Sequence, residues 1–107
     1  MTLPLNHTIN TIAVIGAGTM GIGIAQVAAT AGLSVLLFDV NQDVLSRSLS
    51  TMTQRLRKRV EQGKAKLEVT EAIITKIAVV KSLSALSDAQ LVIEAVAEKL
   101  EIKQAIF

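Results

Sequence analysis

Apolar residues follow two different patterns along this chain. Before residue 40 they form short unbroken runs: Ile12-Ala-Val-Ile15 stops at Gly16, and Ser34-Val-Leu-Leu-Phe38 stops at Asp39. Unbroken runs of this length suit strands buried on both faces of a sheet. Between them, Thr19 to Ala31 is small and apolar and ends at Gly32, the residue type that closes a helix in the left-handed conformation. Strand, glycine turn, helix, glycine and strand in that order make a βαβ unit.

Beyond Asp39 the period changes. Val44, Leu45, Leu49, Met52, Leu56 and Val60 recur three and four apart and predict one long helix with a single apolar stripe. Its other face carries Arg47, Arg55, Arg57, Lys58 and Arg59, and Gly63 ends it. Thr70 to Lys76 reads as a further short helix, Ile77-Ala-Val-Val80 as a third strand, and Leu91 to Val96 as a fourth. Ser87-Asp88 supplies a turn before that fourth strand. Leu100 to Phe107 reads as the opening of another helix, and residues 1–8, which hold the one proline, read as a flexible tail.

These elements predict an α/β fold, a Rossmann-type doubly wound parallel sheet with about four strands present. The domain expected over residues 9–107 is incomplete at its C-terminal end, because the last helix has apolar surface and nothing to bury it. The other reading is a complete small domain with a short last helix.

Composition narrows the class. The chain has 107 residues, of which 50% are hydrophobic and 2% aromatic, enough for one core and one domain. With Cys 0 there is no disulfide framework and no thiolate metal site, which fits a reducing, cytoplasmic compartment. The net charge is only +2, but it is unevenly spread: every charged side chain lies between Asp39 and Lys103, and residues 1–38 hold only His7. Such a stretch raises the question of a membrane span. Gly16, Gly18, Gly21 and Gly23 interrupt it, and Thr11, Thr19 and Gln26 are scattered through it. No basic segment precedes the apolar part, as a signal peptide would require. A membrane role is not expected.

The strongest local signal is Gly16-Ala17-Gly18-Thr19-Met20-Gly21, a G-x-G-x-x-G directly after a strand and opening a helix. Gly16 allows the sharp turn, Gly18 lets a pyrophosphate approach the backbone, and Gly21 lets helix and strand pack closely. The helix N-terminus then holds phosphates with its free N–H groups and dipole. There is no G-K-[ST] ending, which argues against a P-loop. Asp39, at the end of the second run, can accept hydrogen bonds from ribose hydroxyls and would repel a 2′-phosphate, which favours NAD over NADP. The plainer reading of Asp39 is a solvated loop acid.

Ile12 to Val27 resembles the opening of the 3-hydroxyacyl-CoA dehydrogenase family, and a second block, Ala89-Gln-Leu-Val-Ile-Glu-Ala-Val-Ala-Glu98 with Lys99 to Lys103 after it, is more specific to that family. The resemblance runs from Ile12 to Phe107. It implies the NAD-binding part of an oxidoreductase that converts (S)-3-hydroxyacyl-CoA to 3-oxoacyl-CoA. It also implies that Gly16 to Gly21, Asp39, Ala95, Val96, Glu98 and Lys103 line the cofactor site, with Glu98 in a loop and Lys103 on the first turns of the last helix. The family's His–Glu pair, its Ser and its Asn lie beyond Phe107, as does the helical C-terminal domain through which family members dimerise.

No catalytic residue is therefore expected here, and this stretch alone is expected to be inactive; His7 reads as a solvated tail residue. The family also places CoA contacts on the long-helix region. Arg55 to Arg59, Lys64 and Lys66 are thus either a CoA-phosphate face or a solvated helix face. A nucleic-acid surface is not expected, since no aromatic platform accompanies the charge. Two other readings stay open: a non-catalytic dinucleotide-binding or scaffold module, and a methyltransferase-like Rossmann domain, which explains Glu98 and Lys103 poorly.

Overall fold

A computed structural model describes residues 9–96 and 99–104. Strand β1 (Thr11–Ile15) leads into helix α1 (Thr19–Thr30), and β2 (Ser34–Phe38) into α2 (Gln42–Glu61). Helix α3 (Leu67–Thr75), β3 (Ile77–Val79), a 3₁₀ helix (Leu83–Asp88), β4 (Leu91–Val96) and β5 (Lys99–Gln104) complete the order. The sheet order is β3-β2-β1-β4-β5. The first four strands are parallel, with Ile15 opposite Phe38 and Glu94, and Val35 opposite Ile77.

The α/β expectation and its four parallel strands are found as predicted. Alternation along the strands explains the two-sided burial. Ile12, Val14, Val35, Leu37, Ile77 and Ile93 face the helices and meet Ile22, Ala25, Leu45, Met52 and Leu56. Ala13 and Phe38 point the other way, onto Leu86 of the 3₁₀ helix and Ala89. At the start of the central strand, the Gln90 side-chain oxygen accepts the N–H of Thr11 at 2.8 Å and joins β1 to the approach to β4.

The helix ends follow their chemistry. Gly32 is left-handed at φ +94°, and the N–H groups of Gly32 and Leu33 return to the carbonyls of Ala29 and Ala28, closing α1. Gly63, at φ +73°, closes α2 in the same way through Lys64 and Arg59. Asn41 starts α2: its side-chain oxygen accepts the N–H groups of Asp43 and Val44 at 3.0 and 3.1 Å. Helix α3 begins at Leu67 rather than Thr70, and the expected turn at Ser87-Asp88 is the end of the 3₁₀ helix.

One element departs from expectation. Residues expected to open a helix at Leu100 form β5, antiparallel to β4, with Ile102 opposite Ile93 and Lys103 opposite Val92. Without β5, β4 would carry a row of unpaired N–H and C=O groups along its outer edge. A strand arriving directly from β4 satisfies them at little loop-closure cost, whereas a helix this short gains little from its own hydrogen bonds. The sheet therefore has five strands, and Lys103 lies on a strand instead of a helical turn. The tail expected at 1–8, with His7, and the residues after Gln104 lie outside the described residues.

Candidate functional site

The carboxyl ends of β1, β2 and β4 meet around the glycine turn. Gly16 leaves β1 at φ +106°, and its N–H donates to the carbonyl of Phe38 at 2.8 Å. A Cβ at Gly16 would drive into the carbonyl oxygen of Ala95 on β4, and a Cβ at Gly21 into the carbonyl oxygen of Gly16. Both glycines are therefore required by neighbours in the fold. Gly18 is different: it has ordinary negative φ, and a Cβ there would meet nothing within 4 Å. Its bareness leaves open space in front of the helix instead of relieving a clash.

Gly18 is also the N-cap of α1, with no side-chain cap, and the first turn holds no acid. The N–H groups of Thr19, Met20 and Gly21 are first-turn donors without an intrahelical acceptor. Such donors, at the positive end of the helix dipole, make this a candidate main-chain anion cradle.

Asp39 faces this cradle from the end of β2. One carboxylate oxygen accepts the N–H of Ala17 at 2.8 Å and the other accepts that of Asn41 at 2.7 Å. Gly16, Gly18, Thr19, Met20, Gly21, Asp39 and Ala95 line one cavity of about 530 Å³. That volume lies in the range of small-molecule sites. Ala17 is fully buried and takes part through its N–H.

Among the other residues that the resemblance nominates, Val96 ends β4 at the same edge of the sheet. Glu98 lies outside the described residues. Lys103, opposite Val92, sits toward the far end of β4, so β5 does not bring its backbone to the turn.

Sequence reasoning missed the apolar part of this cavity. Ile15, Phe38, Val40 and Val44 line it, and Val40 is 88% exposed, unusual for a valine. The signal was available, because a bare valine directly after Asp39 has no strand or helix face to occupy.

A second cavity of about 570 Å³ opens between α1 and α2 and shares Thr19 and Val44 with the first. Arg47, Ser48, Thr51 and Arg55 line it, and Arg55 reaches Gln26 on α1. Arg57 of the basic run points elsewhere: it grips Glu71 of α3 through two hydrogen bonds of 2.8 and 3.0 Å. That pairing raises the Arg57 guanidinium above its ordinary range and holds the Glu71 carboxyl below its own, chiefly through the hydrogen bond. Among the described residues, no group of His, Cys, Asp and Glu side chains could hold a metal ion, and no helix is long and apolar enough to cross a membrane.

An uncapped helix N-terminus behind a parallel strand, with a bare glycine in front and a carboxylate at the tip of the next strand, defines a dinucleotide-binding Rossmann domain. Known proteins narrow this. The family model described as "3-hydroxyacyl-CoA dehydrogenase, NAD binding domain" matches residues 11–107. The chain belongs to that family, whose cofactor is NAD, and the methyltransferase-like alternative falls away.

The 3-hydroxyadipyl-CoA dehydrogenase of Escherichia coli is 46% identical over 99 residues, which are 92% of this chain and 21% of the relative. The 3-hydroxybutyryl-CoA dehydrogenase of Bradyrhizobium diazoefficiens is 40% identical over 99 residues, 92% of this chain and 34% of the relative. The crystal structure of 3-hydroxybutyryl-CoA dehydrogenase from Escherichia coli superposes with a TM-score of 0.81 at 43% identity, over 87% of this chain and 20% of that one. The chain thus spans between a fifth and about a third of the length of these relatives.

Proposed function

We propose that this chain is the cofactor-holding part of an NAD-dependent enzyme that oxidises (S)-3-hydroxyacyl-CoA to 3-oxoacyl-CoA. The observation that carries the proposal is one cavity holding both halves of a dinucleotide's recognition. The bare, uncapped start of α1 is there for the diphosphate, and the Asp39 carboxylate for the sugar. Each Asp39 oxygen accepts one N–H and keeps a lone pair, so ribose hydroxyls can donate to it without displacing either bond. A 2′-phosphate would meet that carboxylate as a like charge. Val96, Glu98 and Lys103 enter the proposal through the family resemblance alone.

NAD, when bound, supplies the hydride acceptor. The residues of this chain bind and orient it: N–H groups of the first turn of α1 on the phosphates, Asp39 on the ribose, and the apolar wall of Val40 and Val44 beside them. The groove between α1 and α2, with Arg47, Ser48, Thr51 and Arg55, is the face offered to the phosphates of an acyl-CoA. A hydroxyl oxidation also needs a base near neutral pKa within hydrogen-bond reach, and the family resemblance assigns that work to a His–Glu pair that no residue of this chain matches. We therefore expect this stretch by itself to bind NAD without turnover. For the whole protein we propose a helical C-terminal domain through which it dimerises, and a cytoplasmic setting.

Isothermal titration with NAD and NADP tests the reading. NAD is expected to bind at least about tenfold more tightly, a difference of about 1.4 kcal/mol. Equal affinities would remove the role given to Asp39, and NADH production by the 107-residue chain alone would overturn the expectation of inactivity.

A further inference from the structure

We propose that Asp39 is a positioning residue for the phosphate cradle as well as a ligand for the sugar, acting as a lock that sets the glycine turn before any cofactor arrives. The inference rests on reading the cavity as a dinucleotide site and deepens that reading.

Consecutive groups of β2 and its end capture consecutive N–H groups of the turn. The Phe38 carbonyl takes Gly16 at 2.8 Å, and the Asp39 carboxylate takes Ala17, also at 2.8 Å. The other Asp39 oxygen is anchored on the N–H of Asn41 at 2.7 Å, and Asn41 is the N-cap of α2. The carboxylate therefore bridges the start of α1's loop to the start of α2. The turn is also closely packed on two more sides, because a Cβ at Gly16 would meet the Ala95 carbonyl and a Cβ at Gly21 would meet the Gly16 carbonyl. With Asp39 in place Ala17 is fully buried and its N–H has a close acceptor, so removing the carboxylate takes that acceptor away and opens the N–H to water entering the cavity. Fixing the turn in advance lowers the ordering cost that a ligand must otherwise meet on binding. It also divides the donors, with Ala17 committed to Asp39 and the first-turn N–H groups left for phosphate.

This reading predicts a sign opposite to simple electrostatics. Asp39 is a negative charge beside an anion cradle, so Coulomb's law alone says that deleting it tightens diphosphate binding. The lock says that deleting it weakens binding, even for a ligand that has no ribose. Inorganic diphosphate is such a ligand, and its affinity can be read from the amide shifts of Gly18 to Gly21. We expect Asp39→Ala to weaken diphosphate about tenfold, with Asp39→Asn, which keeps one acceptor oxygen, in between. ADP-ribose loses more than diphosphate, since its sugar contact goes too. Asp43→Asn removes the same charge from the first turn of α2 without touching the turn, and is expected to leave diphosphate binding unchanged or slightly tighter.

Hydrogen exchange at Ala17 is expected to speed at least tenfold in Asp39→Ala while that at Val14 in the core stays as in the parent. If the variants fail to fold, the parent protein decides through the scalar coupling across the hydrogen bond from the Ala17 nitrogen to the Asp39 carboxylate carbon. Its presence supports the lock and its absence overturns it. Diphosphate affinity unchanged or tighter in Asp39→Ala overturns the lock and leaves the dinucleotide reading standing. A parent protein that binds neither diphosphate nor ADP-ribose overturns both.

Discussion

The glycine turn and the exposed face of α2 both carry candidate phosphate contacts, and they are built on opposite plans. At the turn the contacts are main-chain N–H groups, the close packing at Gly16 and Gly21 admits no Cβ, and the bonds of Phe38 and Asp39 hold the geometry. On α2 the contacts are long exposed side chains, and the ion pair from α2 to α3, Arg57 with Glu71, leaves its partners 54% and 41% exposed. The first plan specifies position through exclusion, because backbone atoms have no rotamers to move away. The second offers charge whose position each side chain is free to adjust, at a cost in rotamer entropy on binding. A cofactor that must present one reactive face suits the first, and a flexible nucleotide handle suits the second.

The most severe test of this contrast is Gly16→Ala, which combines positive φ with a collision against the Ala95 carbonyl. A loss of about 3 kcal/mol in urea unfolding is expected, with NAD binding abolished. An alanine accepted at Gly16 without loss would show that the turn is not held by exclusion. Gly18→Ala separates space for a ligand from space for the fold. Its Cβ meets nothing within 4 Å, so stability should change by no more than about 1 kcal/mol, the scale of an N-cap exchange. NAD affinity should nevertheless fall at least about tenfold in the same titration.

Smaller effects are expected on the second surface. Arg47→Ala and Arg55→Ala should each leave stability within about 0.5 kcal/mol, as exposed sites do. Each should weaken CoA binding a few-fold, and the loss should shrink as salt is raised, because screening already weakens exposed charge contacts.

Glu71→Gln is the mildest. Arg57 holds the Glu71 carboxyl below its ordinary range, so the native state binds this proton more weakly than the unfolded chain. The pair's stabilisation is present above the ordinary carboxylate range and is lost as pH falls through the lowered native value. Parent and variant should therefore differ slightly at neutral pH and coincide in strong acid. A gap in thermal unfolding that persisted in acid would assign the effect to something other than the ion pair.

Much of this was legible in the chain, for a common reason. Ile12 to Ile15, Ser34 to Phe38 and the stripe from Leu45 to Leu56 each carry their element in a local period. Gly16, Gly18 and Gly21 carry the cradle in a local spacing. Residues 100–104 were not legible, because Leu100, Ile102 and their neighbours suit a helix or a strand, and the open edge of β4 decided between them. Val40 and the division of labour between Arg55 and Arg57 were likewise hidden, since each depends on which neighbour from another element lies within reach.

By itself, then, the amino-acid order determined the first four strands and the first two helices, which faces are apolar, and that a bare glycine turn joins the first strand to the helix after it. These are short-range properties, written in spacing and in the stereochemistry of glycine. Only the tertiary structure decided that the Asp39 carboxylate closes on the Ala17 N–H, that β3 pairs with β2, and that β5 covers the edge of β4. Each of those joins groups from different elements, where hydrogen-bond satisfaction across the sheet outweighs what any local stretch prefers.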